Sequence, residues 1–347
     1  MFEDLSQFNL DGMLISSAHN RRYFSGFSGS DGFLLISPKA LLIATDFRYW
    51  EQAIDEATGF TLYKTLKDLK EWFADLVGQT GVLRLGFESD HITADCIDTM
   101  RRTLNDACVN TRLVPTPKLC KKLRMIKDKE EITAIKRATA ISDAAAEYAR
   151  QIVQPGMSEI ELAWKIESYM RQHGSEPLSF PVICASGPNS ALPHAKPSKR
   201  LIKPCEPIVL DFGACVDGYT SDITRTLCCG EPDSQFKNLY NVVFSAQQAA
   251  IEGIFSGMKA SDADMVARDV IQSAGYGEYF GHSLGHGIGL EVHEEPHLSP
   301  NSKDILVENM VFTIEPGIYL PEWGGVRIED DVLLQNNKVN LLSTATK

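Results

Sequence analysis

The 347-residue sequence has no excess of positive charge. It contains 34 lysine and arginine residues against 46 aspartate and glutamate residues, for a formal net charge of -12. Nucleic-acid binding needs a cationic face that neutralises phosphates, so this balance argues against nucleic acid as a partner. Anionic membrane surfaces are disfavoured for the same reason. We therefore expect partners that are neither nucleic acids nor membranes.

Long apolar runs are also missing, since none reaches the roughly 20 residues of a membrane-spanning helix. The N-terminal stretch MFEDLSQFNLDG has acidic residues where a secretion signal would have basic ones, and no apolar segment follows it. The eight cysteines have no regular spacing, which predicts reduced thiols rather than a disulfide framework. Together these features predict a cytoplasmic protein.

The first third of the sequence alternates short apolar runs with segments of helical spacing. The runs GMLISS, GFLLIS and ALLIAT predict buried strands, whereas DFRYWEQAIDEA and KDLKEWFADLVGQ predict helices. Residues 114–131 concentrate proline and positive charge, which predicts a linker that leads into a long helix from about Lys129. We predict a smaller α/β domain over residues 1–122 and a second domain over residues 123–347.

The second domain contains an internal duplication. Segments 155–174 and 256–275 have the same length, share Gly-Met at their second and third positions, and end in a glycine that suits a helix C-terminus. In the first segment Ser158 and Glu161 also match a capping box. Each segment is followed by a loop with histidine, an apolar strand that ends in a carboxylate, and a second acidic strand. The pattern predicts two related halves that each supply two carboxylates.

Four strand-end carboxylates are the main chemical feature of this domain: Asp211, Asp222, Glu315 and Glu329. An ionised carboxylate beside a buried strand is costly unless it is paired or bound to a cation. Arg225 and Arg327 are candidate partners, but two arginines cannot easily neutralise four carboxylates at one centre, whereas two divalent cations can. Oxygen ligands with one imidazole suit Mn²⁺, Co²⁺, Fe²⁺ or Zn²⁺.

Four of the eight histidines lie within residues 281–297, GHSLGHGIGLEVHEEPH, where five residues are glycine or proline. Glycine lets the backbone approach a metal centre closely, and His286, with glycine on either side, is the candidate ligand. His293 follows GLEV, a predicted short strand, and is expected to face the substrate. His282 is expected to line the pocket wall, and His297 to be structural.

Two further spacings bear on these histidines. HEEPH resembles the H-E-x-x-H pattern of zinc proteases, but that pattern requires a regular helix, which Pro296 would break. His194 lies 38 residues after Gly156, and His293 lies 36 residues after Gly257. The similar offsets predict that the two imidazoles face each other across the metal centre.

The motifs LDFGACVDGYTSDITRT, GHSLGHGIGLEVHEEP, FTIEPGIY and GGVRIEDD resemble those of the pita-bread metallopeptidases, specifically the aminopeptidase P and prolidase branch. The resemblance runs from about residue 125 to the C-terminus and includes all five expected ligand positions. YFSGFSGSDGFLLI and DFRYWEQA are similar to the creatinase-like domain that precedes the catalytic domain in this branch. Methionine aminopeptidases lack that domain and match poorly. Leu284, where some relatives have threonine, is a minor departure.

The resemblance implies an α+β fold, with a pita-bread catalytic domain of pseudo-twofold symmetry after a smaller α/β creatinase-like domain. It implies that Asp222 and Glu329 bridge two divalent metal ions, that Asp211 completes one, and that His286 and Glu315 complete the other. Mn²⁺ is the expected metal, with Co²⁺, Zn²⁺ and Fe²⁺ as alternatives. A homodimer is also implied, in which the N-terminal domain of one subunit reaches toward the active site of the other.

The implied reaction is hydrolysis of the peptide bond between an N-terminal residue and proline. The alternative is a dipeptidase that acts only on Xaa-Pro dipeptides. Glu315 is expected to act as general base, His293 to stabilise the oxyanion, and His194 to form a hydrogen bond near the scissile amide.

The remaining expected site residues support the metals or contact the substrate. Arg327 and Tyr319 are expected to orient or pair with the ligands, whereas Phe180 and His282 would line an apolar slot for the proline ring. A metal-free creatinase and a non-catalytic binding module are disfavoured, because the sequence retains all five ligand positions.

Overall fold

The computed structural model describes residues 8–66, 68–178 and 180–347, and its chain divides into two units, Met1–Arg124 and Met125–Lys347. Residues 1–7 lie outside the described residues, and they belong to the stretch that was expected to lack a secretion signal. Lys67, in the second predicted helical segment, also lies outside them. No helix in the described part of the chain has both the length and the apolar character to cross a membrane.

The first unit is built on a six-stranded mixed sheet. Its strands are β1 (Gly12–Ile15), β2 (Phe33–Ile36), β3 (Leu41–Thr45), β4 (Thr61–Lys64), β5 (Arg84–Phe87) and β6 (Arg112–Pro115). The strand order is β4-β3-β2-β1-β5-β6, with β1 antiparallel to β2 and parallel to β5. Its helices are α1 (Ala18–Ser25), α2 (Trp50–Glu56), α3 (Leu69–Gly78), α4 (Ala94–Asp106) and α5 (Leu119–Arg124).

Helices cover both faces of this sheet, because successive strand residues point to opposite sides. Leu14 packs with apolar side chains of α3 and α4, whereas its neighbours Met13 and Ile15 pack in a second cluster with residues of α2 and α5. Burial on both faces is why the strands appear in the sequence as continuous apolar runs.

The predicted linker over residues 114–131 contains the boundary between the two units, after Arg124, and leads into the long helix, but it is not an irregular segment. This segment contains the end of β6, the short helix α5 and the start of the next helix. Leu119 and Cys120 of α5 are buried in the second core cluster of the first unit. The apolar contacts of these two side chains stabilise regular structure, although the surrounding sequence is rich in proline and lysine.

The second unit contains four α-helices, two short 3-10 helices (Gly187–Ala191 and Gly277–Tyr279) and two main sheets among its described residues. The helices are α6 (Lys129–Ile152), α7 (Glu159–Gln172), α8 (Ser234–Gly253) and α9 (Ala260–Ser273). The strands are β7 (Ile183–Ser186), β8 (Pro207–Phe212), β9 (Cys215–Val216), β10 (Tyr219–Thr220), β11 (Ile223–Cys228), β12 (Gly285–Gly287), β13 (Glu294–Leu298), β14 (Val311–Ile314), β15 (Gly317–Leu320), β16 (Gly324–Arg327), β17 (Asp330–Gln335) and β18 (Lys338–Leu341).

Each main sheet of the second unit packs against its own pair of helices. The sheet β11-β8-β7 shares a buried core with α6 and α7, and the sheet β13-β12-β14-β17-β18 shares one with α8 and α9. Two short pairs, β9 with β10 and β15 with β16, accompany them. This arrangement gives the unit its two-part architecture.

The predicted duplication recurs in the backbone hydrogen bonds. The amide of Gly156 donates to the carbonyl of Ile202 at 2.8 Å, and the amide of Gly257 donates to the carbonyl of Leu306 at 2.7 Å. The glycines that end the two repeated segments have φ values of 99° and 84°, the left-handed conformation of a residue just past a helix. The two halves therefore use the same local scaffold.

The helix starts depart from prediction in one detail. The hydroxyl of Ser158 accepts a hydrogen bond from the amide of Glu161 at 3.2 Å, but the described residues show no return bond from the Glu161 side chain. A complete capping box forms instead between Asp128 and Glu131, at the start of α6. This cap explains why the long helix begins at Lys129, as expected.

Candidate metal centre

Four carboxylates meet at the junction of the two halves of the second unit. Asp211 lies in β8, Asp222 directly precedes β11, Glu315 directly follows β14 and Glu329 directly precedes β17. All four line one cavity of about 570 Å³. The halves are joined at this point, since the amide of Glu329 donates to the carbonyl of Thr224 at 3.1 Å.

His286 supplies an imidazole to this cluster. Its Nε2 lies 3.4 Å from Oε1 of Glu315 and 3.8 Å from Oδ2 of Asp222. Ligand atoms of Asp222, His286 and Glu329 all lie within 4.8 Å of one another. The other ring nitrogen lies 3.1 Å from the carbonyl oxygen of Gly287, a contact that orients the ring with Nε2 toward the carboxylates.

The glycines on either side of His286 are required by close backbone contacts. A Cβ atom on Gly285 would lie 1.9 Å from the carbonyl oxygen of Thr313, and one on Gly287 would lie 2.1 Å from that of Glu295. Only glycine lets β12 lie this close to its neighbours on both sides. The glycine-rich sequence is therefore what places this imidazole in the interior of the site.

Burial raises the pKa values of these carboxyl groups. For Asp222 it is the main cause of a pKa well above the usual range, and the negative charges of Glu329, Asp211 and Glu315 add to it. Burial likewise raises the pKa of Glu329, and it raises that of Glu315 to about 8. The protein alone thus disfavours the ionised carboxylates, and a nearby cation would favour them.

The donor set fits a pair of divalent cations. Oδ1 of Asp211 and Oδ1 of Asp222 are buried and have no hydrogen-bond partner among the described residues, which is costly for a carboxylate oxygen. Burial lowers the pKa of His286 to about 3, so its ring is neutral and can serve as a ligand. Oxygen donors with one imidazole match the ligands of Mn²⁺, Co²⁺, Fe²⁺ and Zn²⁺.

Arg327 is the cation that the protein itself places at the centre. Its Nη2 donates to Oδ2 of Asp211 at 2.6 Å, and its Nε donates to the hydroxyl of Thr224 at 3.0 Å. Its Nη1 donates to the phenol oxygen of Tyr319 at 2.8 Å, and that oxygen lies 2.9 Å from Nε2 of His282. Arg327 therefore holds one carboxylate and, through the tyrosine, one histidine of the cavity wall.

The second arginine that the sequence offered as a partner lies elsewhere. Nη2 of Arg225 donates to Asp330 at 2.7 Å, and neither residue lines the cavity. Nη1 of Arg225 donates to the backbone carbonyl of Glu329 at 2.6 Å, so among the described residues Arg327 is the one arginine that pairs with a clustered carboxylate, that of Asp211.

Four of the predicted substrate-facing residues line the same cavity: Phe180, His194, His282 and His293. The ring of His293 lies 4.4 Å from that of His286, at an angle of 61°. Tyr319 is not among the lining residues, and its hydroxyl contacts His282 and Arg327 from behind the wall.

Two details around residues 289–298 differ from prediction. GLEV is not a strand: residues 289–292 form bends, and the strand is β13, Glu294–Leu298. HEEPH thus ends in a strand rather than lying on a helix, in agreement with rejection of the zinc-protease pattern. His297 was expected to be structural, but its half-exposed ring lines the cavity with Nε2 3.6 Å from Glu295.

Three polar residues of the centre were not predicted from the sequence. Thr224 donates to Oε2 of Glu329 at 2.5 Å, and Thr313 donates to Oε1 of Glu315 at 3.3 Å. Asp331 accepts a hydrogen bond from the amide of Asp222 at 3.1 Å. Each lies two residues from a predicted ligand, so strand alternation was the signal that could have identified them.

Comparison with known families agrees with this geometry. The family model described as "Metallopeptidase family M24" matches residues 133–336, and that described as "Creatinase/Prolidase N-terminal domain" matches residues 3–126. The chain belongs to metallopeptidase family M24. This family is a class of dinuclear divalent-metal enzymes, so the predicted metallopeptidase class is confirmed.

Individual relatives of this M24 protein span nearly its whole length. The uncharacterized peptidase YqhT of Bacillus subtilis is 46% identical over 331 residues, which are 95% of this chain and 93% of the relative. A solved Xaa-Pro dipeptidase from Bacillus anthracis has a TM-score of 0.95 at 41% identity and covers 99% of this chain and 96% of its own. An X-Pro aminopeptidase from Thermotoga maritima has a TM-score of 0.92 at 36% identity, with coverage of 99% and 98%. The predicted α+β pita-bread fold with a creatinase-like first domain is confirmed.

For the metal-free M24 protein, we expect thermal stability to fall as the pH rises from about 7 to about 8, where the buried imidazoles are neutral and only the carboxyl groups titrate. The buried carboxyl groups have pKa values above those of an unfolded chain, so the folded state gains stability by binding protons at low pH. That gain is lost as the pH passes the folded pKa, which is about 8 for Glu315. Melting temperatures of chelated protein at a series of pH values measure the effect.

The same melting series with Mn²⁺ and with Asp222→Asn provides the controls. Added Mn²⁺ should raise the melting temperature more at pH 8 than at pH 7, because it compensates ionised carboxylates. Asp222→Asn, which removes one titrating group, should reduce the pH dependence of the metal-free form. A melting temperature of the chelated protein that rises over this range would contradict the raised pKa values of the buried carboxyl groups.

Proposed function

We propose that this protein is a dinuclear metal-dependent Xaa-Pro aminopeptidase, which hydrolyses the bond between an N-terminal residue and proline. The observation that carries the proposal is the buried group of Asp222, His286 and Glu329, whose ligand atoms lie within 4.8 Å of one another in the wall of a cavity of about 570 Å³. The similarity to an Xaa-Pro dipeptidase and an X-Pro aminopeptidase supports this substrate class.

Five side chains are proposed to hold the metal ions. Asp222 and Glu329 would bind both ions, Asp211 would complete the ligands of one, and His286 and Glu315 would complete those of the other. We propose Mn²⁺ as the metal, with Co²⁺, Zn²⁺ and Fe²⁺ as alternatives, because the ligands are mostly carboxylate oxygens. Two such ions, when bound, supply an activated water and polarise the scissile carbonyl.

Glu315 is the proposed general base and proton carrier. Its Oε1 accepts a hydrogen bond from Thr313 at 3.3 Å, and its Oε2 lies 4.0 Å from Nδ1 of His282. These contacts orient the carboxylate while it borders the cavity. We propose that this carboxylate takes a proton from the attacking water and delivers it to the leaving proline nitrogen.

Two of the three exposed imidazoles of the cavity, those of His194 and His293, are proposed to contact the reacting peptide. His293 donates a hydrogen bond to the carbonyl oxygen as negative charge develops there, and His194 forms a hydrogen bond near the scissile amide. His194 has no hydrogen-bond or ion-pair partner of its own within the described part of the chain, so its ring nitrogens are available to substrate.

The proline side of the substrate is proposed to lie against Phe180 and His282 on the cavity wall. Tyr319 contacts His282 from behind, and Arg327 binds both Tyr319 and Asp211. The arginine and the tyrosine are proposed to complete the substrate-binding group by orienting a metal ligand and the His282 ring, and Arg327 itself borders the cavity.

One observation favours the second candidate function, a dipeptidase restricted to Xaa-Pro. Lys196 lines the cavity and forms no ion pair with any described residue. The free carboxylate of a bound dipeptide carries a negative charge that this ammonium group could pair with, whereas a longer peptide has an amide at that place.

Three further properties stay predictions. We propose residues 1–122 as an accessory domain and residues 123–347 as the catalytic domain. A homodimer and a cytoplasmic location are proposed on the resemblance and on the irregular cysteine spacing, with all eight cysteines present as free thiols.

A peptide panel tests the proposed activity. With Mn²⁺ present we expect cleavage of Xaa-Pro-Xaa tripeptides, and no cleavage of matched Xaa-Ala-Xaa controls. Chelation should abolish the activity, and Mn²⁺ should restore it, because the carboxylate cluster is proposed to work only with bound cations. Cleavage of Xaa-Pro dipeptides alone, with loss of that preference in Lys196→Met, would favour the dipeptidase. Undiminished cleavage after exhaustive chelation would refute both.

The role of Glu315 is tested with Glu315→Gln, which keeps the size of the side chain and removes its basicity. We expect kcat to fall by about 10³-fold or more in protein loaded with excess Mn²⁺. Glu322→Gln, at an exposed turn outside the cavity, is the matched control and should leave kcat unchanged. Near-native turnover by metal-saturated Glu315→Gln would eliminate Glu315 as the base.

The role of His194 is tested with His194→Ala. The variant removes a hydrogen bond to the reacting amide, so we expect kcat to fall by about 10²-fold or more with both metals retained. Kinetics combined with metal analysis by mass spectrometry measure both quantities. Loss of a metal ion in this variant would instead identify His194 as a ligand, contrary to the assignment.

A further inference from the structure

Glu159, the first residue of α7, is a fully buried carboxylate outside the metal centre. Its Oε1 accepts hydrogen bonds from the amide and the hydroxyl of Ser186, at 2.7 and 2.8 Å. Its Oε2 accepts from the amide and the hydroxyl of Ser198, at 3.0 and 2.6 Å. The side-chain amide of Asn189 lies 3.1 Å from both oxygens. Such charge-assisted bonds are stronger than neutral ones.

These contacts join the two ends of one loop. Ser186 ends β7 and Ser198 lies twelve residues later, with His194 between them. The imidazole of His194 has no hydrogen-bond or ion-pair partner among the described side chains, so its position depends on the backbone of this loop. A carboxylate that ties both ends of the loop therefore contributes to the position of His194.

The middle of the loop is attached to the other half of the unit. The amide of Gly325 donates to the hydroxyl of Ser190 at 2.8 Å, and Nη1 of Arg327 donates to the carbonyl of Pro193 at 3.3 Å. The second contact links the residue next to His194 to the arginine that binds the metal-centre carboxylate Asp211. Glu159 holds the ends of the loop, and β16 holds its middle.

A comparison of the two halves shows that the Glu159 side chain is not needed for the start of the helix. In the first half the amide of Glu159 donates to the carbonyl of Arg200 at 3.1 Å, and in the second half the amide of Ala260 donates to that of Asp304 at 2.9 Å. The helix–loop backbone contact thus forms equally well with alanine at this place. Only the first half has a carboxylate at this position. Its hydrogen bonds go to the loop that carries His194.

We propose that Glu159 is a positioning residue for His194, and that it acts on turnover through the loop of residues 186–198. The inference rests on the proposed function, since it assumes that His194 contacts the reacting peptide. Catalytic geometry is sensitive to displacements of about 1 Å, which can lower a rate about 10²-fold. Release of the loop ends would displace the imidazole without removing any proposed metal ligand.

Glu159→Gln tests the proposal with little change in size. The amide nitrogen presents a donor where one carboxylate oxygen accepted, so the backbone amide at one end of the loop loses its acceptor, while the serine hydroxyl there can turn to accept. We expect kcat to fall by about tenfold or more, with KM within about twofold and two metal ions per chain retained. Ser198→Ala removes one hydroxyl donor to Glu159 and the acceptor of the Arg200 amide, but it leaves the other contacts of Glu159 in place. It should give a smaller loss of kcat, and it serves as the test if Glu159→Gln does not fold.

Asp143→Asn is the matched control. Asp143 is a buried carboxylate of α6 that accepts hydrogen bonds from the amide and hydroxyl of Thr344, both at 2.7 Å, and from the amide of Ala345 at 3.0 Å. It ties down the C-terminal segment and does not line the cavity. We expect this variant to lower the melting temperature and leave kcat unchanged. A kcat loss in Asp143→Asn equal to that of Glu159→Gln would overturn the proposal.

A double-mutant cycle isolates the path through the histidine. If Glu159 acts through His194, Glu159→Gln causes no further loss of kcat in a His194→Ala background. Losses that multiply in the double variant, or an unchanged kcat in Glu159→Gln alone, overturn the positioning role and leave the proposed function intact. An unchanged kcat in His194→Ala itself would remove the assumed role of His194, and the inference with it.

Discussion

The repulsion among buried carboxylates is the constraint on which the second unit depends. Asp211, Asp222, Glu315 and Glu329 line one cavity with little exposure to water, and a single arginine among the described residues reaches the group. Burial and mutual repulsion both favour protonation of such carboxyl groups. A pair of divalent cations would reverse this preference, so metal binding and stability of the folded site are linked in the same residues.

The duplication solves the problem of bringing these acids together. Each half carries an apolar strand with a carboxylate at its end, followed by a second acidic segment, and a shared backbone contact between Thr224 and Glu329 joins the two. Neither sheet alone presents more than two of the acids. The centre exists only where the halves meet, which agrees with the two-part core of the unit.

A second group of residues orients the side chains around the clustered carboxylates. Arg327 links Asp211 to Tyr319, and Tyr319 contacts the ring of His282. Glu159 performs a comparable task at a greater distance, since it contacts the loop of His194 and none of the clustered carboxylates. The side chains that border the cavity are therefore oriented by buried polar groups whose own hydrogen bonds are satisfied. This is expected in a low-dielectric interior, where an unpaired polar group is costly.

The sequence by itself determined the class of fold, the duplication and the family motifs. Apolar runs, glycine at helix ends and acids after strands are local patterns, and local patterns follow from backbone geometry and burial. Two local interpretations failed because tertiary contacts override composition. The proline-rich segment 114–131 contains a helix whose Leu119 is buried, and GLEV bends before β13 begins.

Only the tertiary structure decided which groups meet. Thr224 and Asp331 each lie two residues from a predicted ligand, so strand alternation could have identified them as candidates. Their contacts with Glu329 and Asp222, however, depend on how the two sheets join. The role of Glu159 was not visible in the sequence, because a glutamate in the first turn of a helix ordinarily faces solvent. Its partners lie 27 to 39 residues away along the chain, and only folding brings the two ends of that loop to one buried carboxylate.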